Sequence, residues 1–123
     1  MIPFETCREI VEDALMVEPR TLGTLAEACN RSPDFPVAML DLINRGVAFR
    51  CGRTDAGSDK WALVDERALL LIKRGVRREP DLLRALNHDG ADLGLDDLLA
   101  SIVRLAKAGH VDPITLRPLG LTA

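Results

Sequence analysis

Three cysteines, Cys7, Cys29 and Cys51, are the residues best suited by type to do chemistry, since thiolates attack carbonyls, form disulfides and bind zinc. Their even spacing of 22 matches no ligand pattern, because structural zinc sites pair their ligands two to four residues apart. His88 and His110 do not supply the missing pair. The simpler expectation is three small apolar core residues, as free cysteine is among the most buried types. His88 stands in a turn with Asp89 and Gly90, and His110 follows a helix end, where a capping role accounts for it. Asp96 and Asp97 are adjacent and so diverge on a helix surface. No Ser-His-Asp frame and no Gly-rich phosphate loop occurs. The expectation is a chain that is not an enzyme and needs neither metal nor cofactor.

Charge is the second chemical signal. The 123 residues carry a net charge of −3 and a pI near 5.3. Residues 1–44 set Arg8, Arg20 and Arg31 against eight acids, while residues 45–78 set nine basic residues against Asp55, Asp59, Asp65 and Glu66. A localised basic stripe in an acidic chain is the footprint of phosphate contact. Arg50, Arg53 and Lys60 are the candidate phosphate contacts, Lys73, Arg74, Arg77 and Arg78 extend the track, and Asn44 and Arg45 are the candidates for base edges. The competing reading is a solvated face whose arginines pair with the acidic first helix.

The elements that must position these residues follow from periodicity. Phe4, Cys7, Val11, Ala14 and Leu15 share one face of a helix over residues 4–16, which Pro19 closes. Thr21 is a candidate N-cap for a helix over 22–29, with Leu22, Leu25 and Ala26 inward and Asn30 left-handed at its end. Ser32 and Pro33 announce a third helix, although Pro36 moves its start towards Asp34. Val37, Met39, Leu40, Leu42 and Ile43 are its expected apolar face, and Gly46 stops it. Val47, Phe49 and Cys51 alternate as a strand, residues 52–59 form a polar loop, and Trp61 and Leu63 resume the alternation.

A short helix over 66–75 follows, with the unbroken apolar run Ala68 to Ile72. A run apolar on all sides is either buried all round or packed on a partner. Leu69, Leu70, Leu71 and Ile72 are therefore the candidate partner or dimer interface. Then a short helix (80–87), a turn and a longer helix (95–108, apolar at Leu95, Leu98, Leu99, Ile102, Leu105 and Ala106) repeat the opening order. Residues 105–111 parallel 42–47, and 84–87 parallel 27–30. Residues 110–116 are a candidate edge strand, and the tail 117–123 is too short for a full second hairpin.

The helix beginning Thr21-Leu22-Gly23-Thr24-Leu25-Ala26-Glu27-Ala28, the helix ending Leu-Ile-Asn-Arg-Gly-Val and the basic hairpin together resemble the winged-helix superfamily. The pattern is similar to that of small bacterial and archaeal transcription regulators and covers residues 4–65. The resemblance implies a mainly α fold with a small β-hairpin wing (α+β), in which residues 1–65 form a winged helix-turn-helix. Residues 66–123 then form a C-terminal helical unit, either an abbreviated second copy (helix-turn-helix-strand) or a dimerisation element. It also implies that residues 33–45 read the major groove and that 50–60 form the wing.

That third helix offers Asp34, Ala38 and Asp41 where donors are wanted, and carboxylates oppose a phosphate-lined groove. Two functions are therefore expected. The first is a DNA-binding transcription regulator, acting as a dimer on double-stranded DNA mainly through backbone contacts from the wing. The second is a winged-helix module that binds a protein and no DNA. No apolar run approaches the roughly 20 residues of a membrane span, and no basic leader precedes one, so a cytoplasmic protein without a membrane partner is expected.

Overall fold

A computed structural model of the chain describes residues 1–88 and 90–119. Asp89 of the expected turn and the last four residues of the expected short tail lie outside the described residues. The chain is mixed α and β: helix α1 (Phe4–Val17), strand β1 (Arg20–Thr21), α2 (Leu22–Ala28), α3 (Phe35–Asn44), β2 (Ala48–Arg53), β3 (Asp59–Leu63), α4 (Val64–Lys73), α5 (Glu79–Leu86) and α6 (Leu95–Lys107). The strands form one antiparallel sheet in the order β1-β3-β2.

Local chemistry sets most boundaries. Thr21 caps α2 by accepting the Thr24 amide on Oγ1 at 3.4 Å. Asn30 closes that helix in the left-handed region with φ +52°, and Arg31 shares that conformation. Ser32 does not open a helix at Pro33; its Oγ donates to the Ile2 carbonyl at 2.5 Å and accepts the Asp34 amide at 3.2 Å, and α3 begins at Phe35. Gly46, with φ +70°, ends α3 in a Schellman turn in which the Val47 amide reaches back to the Leu42 carbonyl. Gly109 ends α6 in the same way, with the His110 amide on the Leu105 carbonyl.

The sheet lies between two apolar cores, a consequence of the alternation of side chains along a strand. Ala48 pairs with Leu63, and both enter the first core with Cys7, Val11, Leu15, Leu25, Cys29 and Leu42. Their neighbours Phe49 and Ala62 are also paired, and they enter the second core with Val64, Ala68, Ile72, Leu82, Leu98 and Ile102.

The two cores are built on one plan. Cys7 and Val64, Val11 and Ala68, Leu15 and Ile72, Leu25 and Leu82, and Cys29 and Leu86 are all buried, each pair 57 apart (64 less 7). Phe35 and Leu98, Ala38 and Ser101, Met39 and Ile102, Leu42 and Leu105, and Ala48 and Val111 are also all buried, each pair 63 apart (98 less 35). An ion pair repeats at the same places with its charges exchanged. Arg8 of α1 meets Asp41 of α3 at 3.4 Å, and at the equivalent positions Asp65 of α4 meets Arg104 of α6 at 2.8 Å.

Several expectations are corrected. Leu22, expected inward, is exposed, as are Val37 and Leu40 of α3 and Leu95 and Leu99 of α6. Each of these helices packs a narrower stripe than its apolar content suggests. Instead of a longer edge strand over 110–116, Val111 makes a single bridge to Pro118, because Pro113, Ile114 and Thr115 turn the chain. The tail is long enough for this miniature hairpin, with the Leu119 amide on the His110 carbonyl at 2.8 Å. In the run Ala68 to Ile72, Leu69 and Ile72 are buried in the chain's own second core, and Leu70 and Leu71 are half-buried.

Candidate functional site

The outward face of α3 is an apolar surface. Phe35, Ala38, Met39 and Leu42 point into the first core, so the 3.6-residue period turns Pro36, Val37, Leu40 and Asn44 to solvent. Val37 is 59% exposed and Leu40 56%. Beside them an apolar groove of about 300 Å3 runs between α2 and α3, lined by Leu22, Phe35, Pro36, Met39, Leu40 and Ile43. Among these residues there is no hydrogen-bond donor in a side chain.

Asn44 and Arg45 lie at the far end of this face, and both are exposed. Arg45 pairs with Asp41 at 3.3 Å, and Asp41 also holds Arg8. Close by, the Asp97 carboxylate sits against Gly46, where a Cβ would come within 2.7 Å of Oδ1. The Arg104 guanidinium spans this junction, donating to Asp65 from Nε and Nη2 and to the Gly46 carbonyl from Nη2 at 3.3 Å, while Ser101 Oγ donates to Asp65 Oδ1. Of the base-edge candidates, Arg45 is thus already held by Asp41, while Asp65 holds Arg104 at the neighbouring Gly46 turn.

Two of the three hairpin cations share one carboxylate. Arg53 pairs with Asp59 at 3.4 Å, and Arg50 approaches the same carboxylate at 3.9 Å. Arg50 also donates from Nη2 to the Gly90 carbonyl, which ties β2 to the segment before α6. Its Cα partner is Trp61, and a bulge at Cys51 lets Gly52 face Lys60. Lys60 is half-buried. The extension of the track is more open: Lys73 and Arg74 end α4 exposed, and Arg78 is exposed at the N-cap of α5. Arg77 folds back to cap α4, donating to the Ile72 carbonyl at 2.6 Å. Wing and track residues therefore share one region of the chain but not one state. Arg50 and Arg53 of the wing are paired, whereas Lys73, Arg74 and Arg78 have no ion pair among the described residues.

A second exposed apolar stripe lies on α6. Leu95, Leu99 and Val103 are spaced at helical turns and all face solvent. The outward face of the third helix is thus apolar in both halves of the chain. Periodicity could have found the α3 face: residues 35–43 are apolar except for Asp41, the same all-round signal seen in Ala68 to Ile72.

Among the described residues, no group of three His, Cys, Asp or Glu side chains stands together to hold a metal. Cys7 and Cys29 are adjacent in the first core; Cys29 Sγ donates to the Cys7 carbonyl at 3.7 Å. Burial, and secondarily its contact with Cys7, pushes the Cys29 thiol up to about 11. A thiol held neutral in this way is a poor nucleophile and ligand. No helix among the described residues is long and apolar enough to cross a membrane. Comparison with protein-family models, with curated proteins and with solved structures finds no match to this chain.

Proposed function

We propose that the chain is a tandem winged-helix adaptor that docks a protein partner on the outward face of α2 and α3. The winged-helix reading is supported by the order helix, strand, helix, helix, strand, strand and by the sheet order β1-β3-β2. The reading of residues 66–123 as an abbreviated second copy is supported by the repeated burial and the exchanged ion pair. The observation that carries the function is the apolar outward face of α3, Val37 and Leu40 with the groove beside them, where a groove reader would carry donors. Burying an exposed leucine contributes about 1.5–3 kcal/mol, and grooves of this kind receive amphipathic helices.

The test is a photo-crosslinking residue at position 37 combined with Leu40→Asp, run at the cellular level. The expected result is one stoichiometric partner captured with Leu40 present and lost with Leu40→Asp. Capture that is unchanged by Leu40→Asp overturns the docking face. Both positions are exposed, so the fold tolerates the changes.

A second reading, a duplex-DNA binder using backbone contacts, is favoured by the exposed cations Lys73, Arg74 and Arg78 together with Arg53. It predicts a salt-sensitive gel shift with random duplex that weakens on replacing Arg50, Arg53 and Lys60 by Ala. Retention of the shift by that triple variant would remove the wing from the interface. In either reading a homodimer is the proposed working form, which light scattering tests, and the cytoplasm is the proposed compartment.

A further inference from the structure

Most arginines of this chain already have partners. Arg8, Arg20, Arg31, Arg45, Arg50, Arg53, Arg84 and Arg104 each meet a carboxylate, and Arg77 meets backbone carbonyls. Among the described residues, Arg67, Arg74, Arg78 and Arg117 differ, and of these Arg67 and Arg74 line one hollow. Among the described residues neither guanidinium has a hydrogen bond or an ion pair. They stand seven apart on α4, two turns of one helix, and so share a face.

Both line a hollow of about 160 Å3 between β2, α4 and the end of α5, with Phe49 and Leu71 in its wall and Cys51 and His88 beside them. No carboxylate lines it among the described residues, although the chain has 19 acids. Arg67 also borders a neighbouring cleft with Glu18 and Glu66, yet pairs with neither.

Helix-end electrostatics explain only one of the two cations. Arg74 is the C-cap residue of α4, where a positive charge complements the dipole. Arg67 lies near the positive N-terminal end of the same helix, where a cation is disfavoured. Two like charges lining one concave site, with no carboxylate among its described lining residues, favour an anion there. A dianion matches them better than a carboxylate does, and the planar donor forks of guanidinium fit phosphate oxygens two at a time.

We infer that this hollow binds a phosphoryl group between Arg67 and Arg74. The group comes either from a small molecule or from a nucleic-acid backbone. The site lies apart from the α2 and α3 docking face, so the two proposals stand or fall separately.

The experiment is an NMR titration of the full chain with inorganic phosphate, following the Nε–H signals of Arg67 and Arg74 at ionic strength held constant with chloride. The expected result is a saturable shift of both signals. Its affinity falls at least about tenfold in Arg67→Gln and in Arg74→Gln, each of which removes a charge-assisted donor set, and is unchanged in Arg117→Gln, an exposed arginine outside the basic track. A nucleoside monophosphate that binds more tightly than phosphate assigns the small-molecule source. A short DNA duplex that moves the same signals and is displaced by phosphate assigns the backbone source. Shifts that rise linearly without saturation in the wild-type chain overturn the site, and so do equal shifts in Arg117→Gln and the two hollow variants. The wild-type titration needs no variant to fold.

Discussion

Asp65 carries more of the tertiary structure than its place at the start of a helix suggests. Its carboxylate accepts from Ser101 Oγ at 2.5 Å and from Arg104 at 2.8 and 3.0 Å, joining α4 to α6 while Arg104 reaches on to Gly46. Both partners are about one-third exposed, which lowers the worth of the pair relative to a buried one. Asp65→Ala is expected to cost about 1–3 kcal/mol, because Arg104 and Ser101 lose their acceptor; urea denaturation measures it. Since Arg8 and Asp41 occupy the equivalent places with opposite charges, the double exchange Asp65→Arg with Arg104→Asp is expected to be less destabilising than the two single changes added together. A double-mutant cycle reads that coupling.

Cys29 makes a pH prediction at the same scale. Its thiol is raised from 9.0 to about 11 in the folded chain, so the neutral form is favoured by folding. That contribution is fully present below pH 9 and is lost as pH rises through 9 towards 11. Alkaline melts of the wild type are expected to fall faster over that window than those of Cys29→Ala. At neutral pH the buried Cys7 and Cys29 are expected to label with a thiol reagent only on unfolding.

Element boundaries follow local rules where the local chemistry is complete. The Thr21 cap, the left-handed Asn30 and the stops at Gly46 and Gly109 are readable from residue type alone, because each satisfies a backbone need within about five residues. Strand β1 is not readable in this way: two residues, Arg20 and Thr21, become a strand only because β3 lies alongside. The two glycine stops separate local from tertiary demands. Gly46→Ala must hold a side chain at φ +70° and meets the Asp97 carboxylate, whereas Gly109→Ala at φ +80° meets nothing within 4 Å. Gly109→Ala is expected to cost about 1 kcal/mol from the backbone alone, and Gly46→Ala more. Adding Asp97→Ala to Gly46→Ala is expected to remove the excess. Thermal melts of the three variants test this; equal costs for the two glycines would mean that α6 does not press on the α3 turn.

The whole molecule depends on the sheet, which serves two cores with alternate residues. Phe49 and Ala62 complete a core whose other members all follow residue 63, so the second half leans on the first for its apolar closure. Phe49→Ala is expected to cost about 3–5 kcal/mol, as large-to-small core changes do. Trp61 packs against the first core, so its fluorescence reports on that half, while far-UV circular dichroism reports on all the helices. The two transitions are expected to coincide in the wild type and to shift together in Phe49→Ala. Separate transitions would show the halves unfolding independently.

Sequence alone determined the helices, their stops, the hairpin and the repeated order, since periodicity, caps and turn residues act over a few residues. It also located the basic stretch. Tertiary structure decided which apolar residues are left over. Val37, Leu40, Leu99 and Val103 have the same composition as the buried residues beside them, and only the packing of α1 on α3 and of α4 on α6 selects the inward stripe. It also decided which cations remain unpaired, because ion pairing depends on distances such as that from Arg53 to Asp59 across the hairpin. Charge counted along the chain cannot supply such distances. That is why the wing looks basic in the sequence, although its two arginines are paired, while Lys73, Arg74 and Arg78 beyond it stay open.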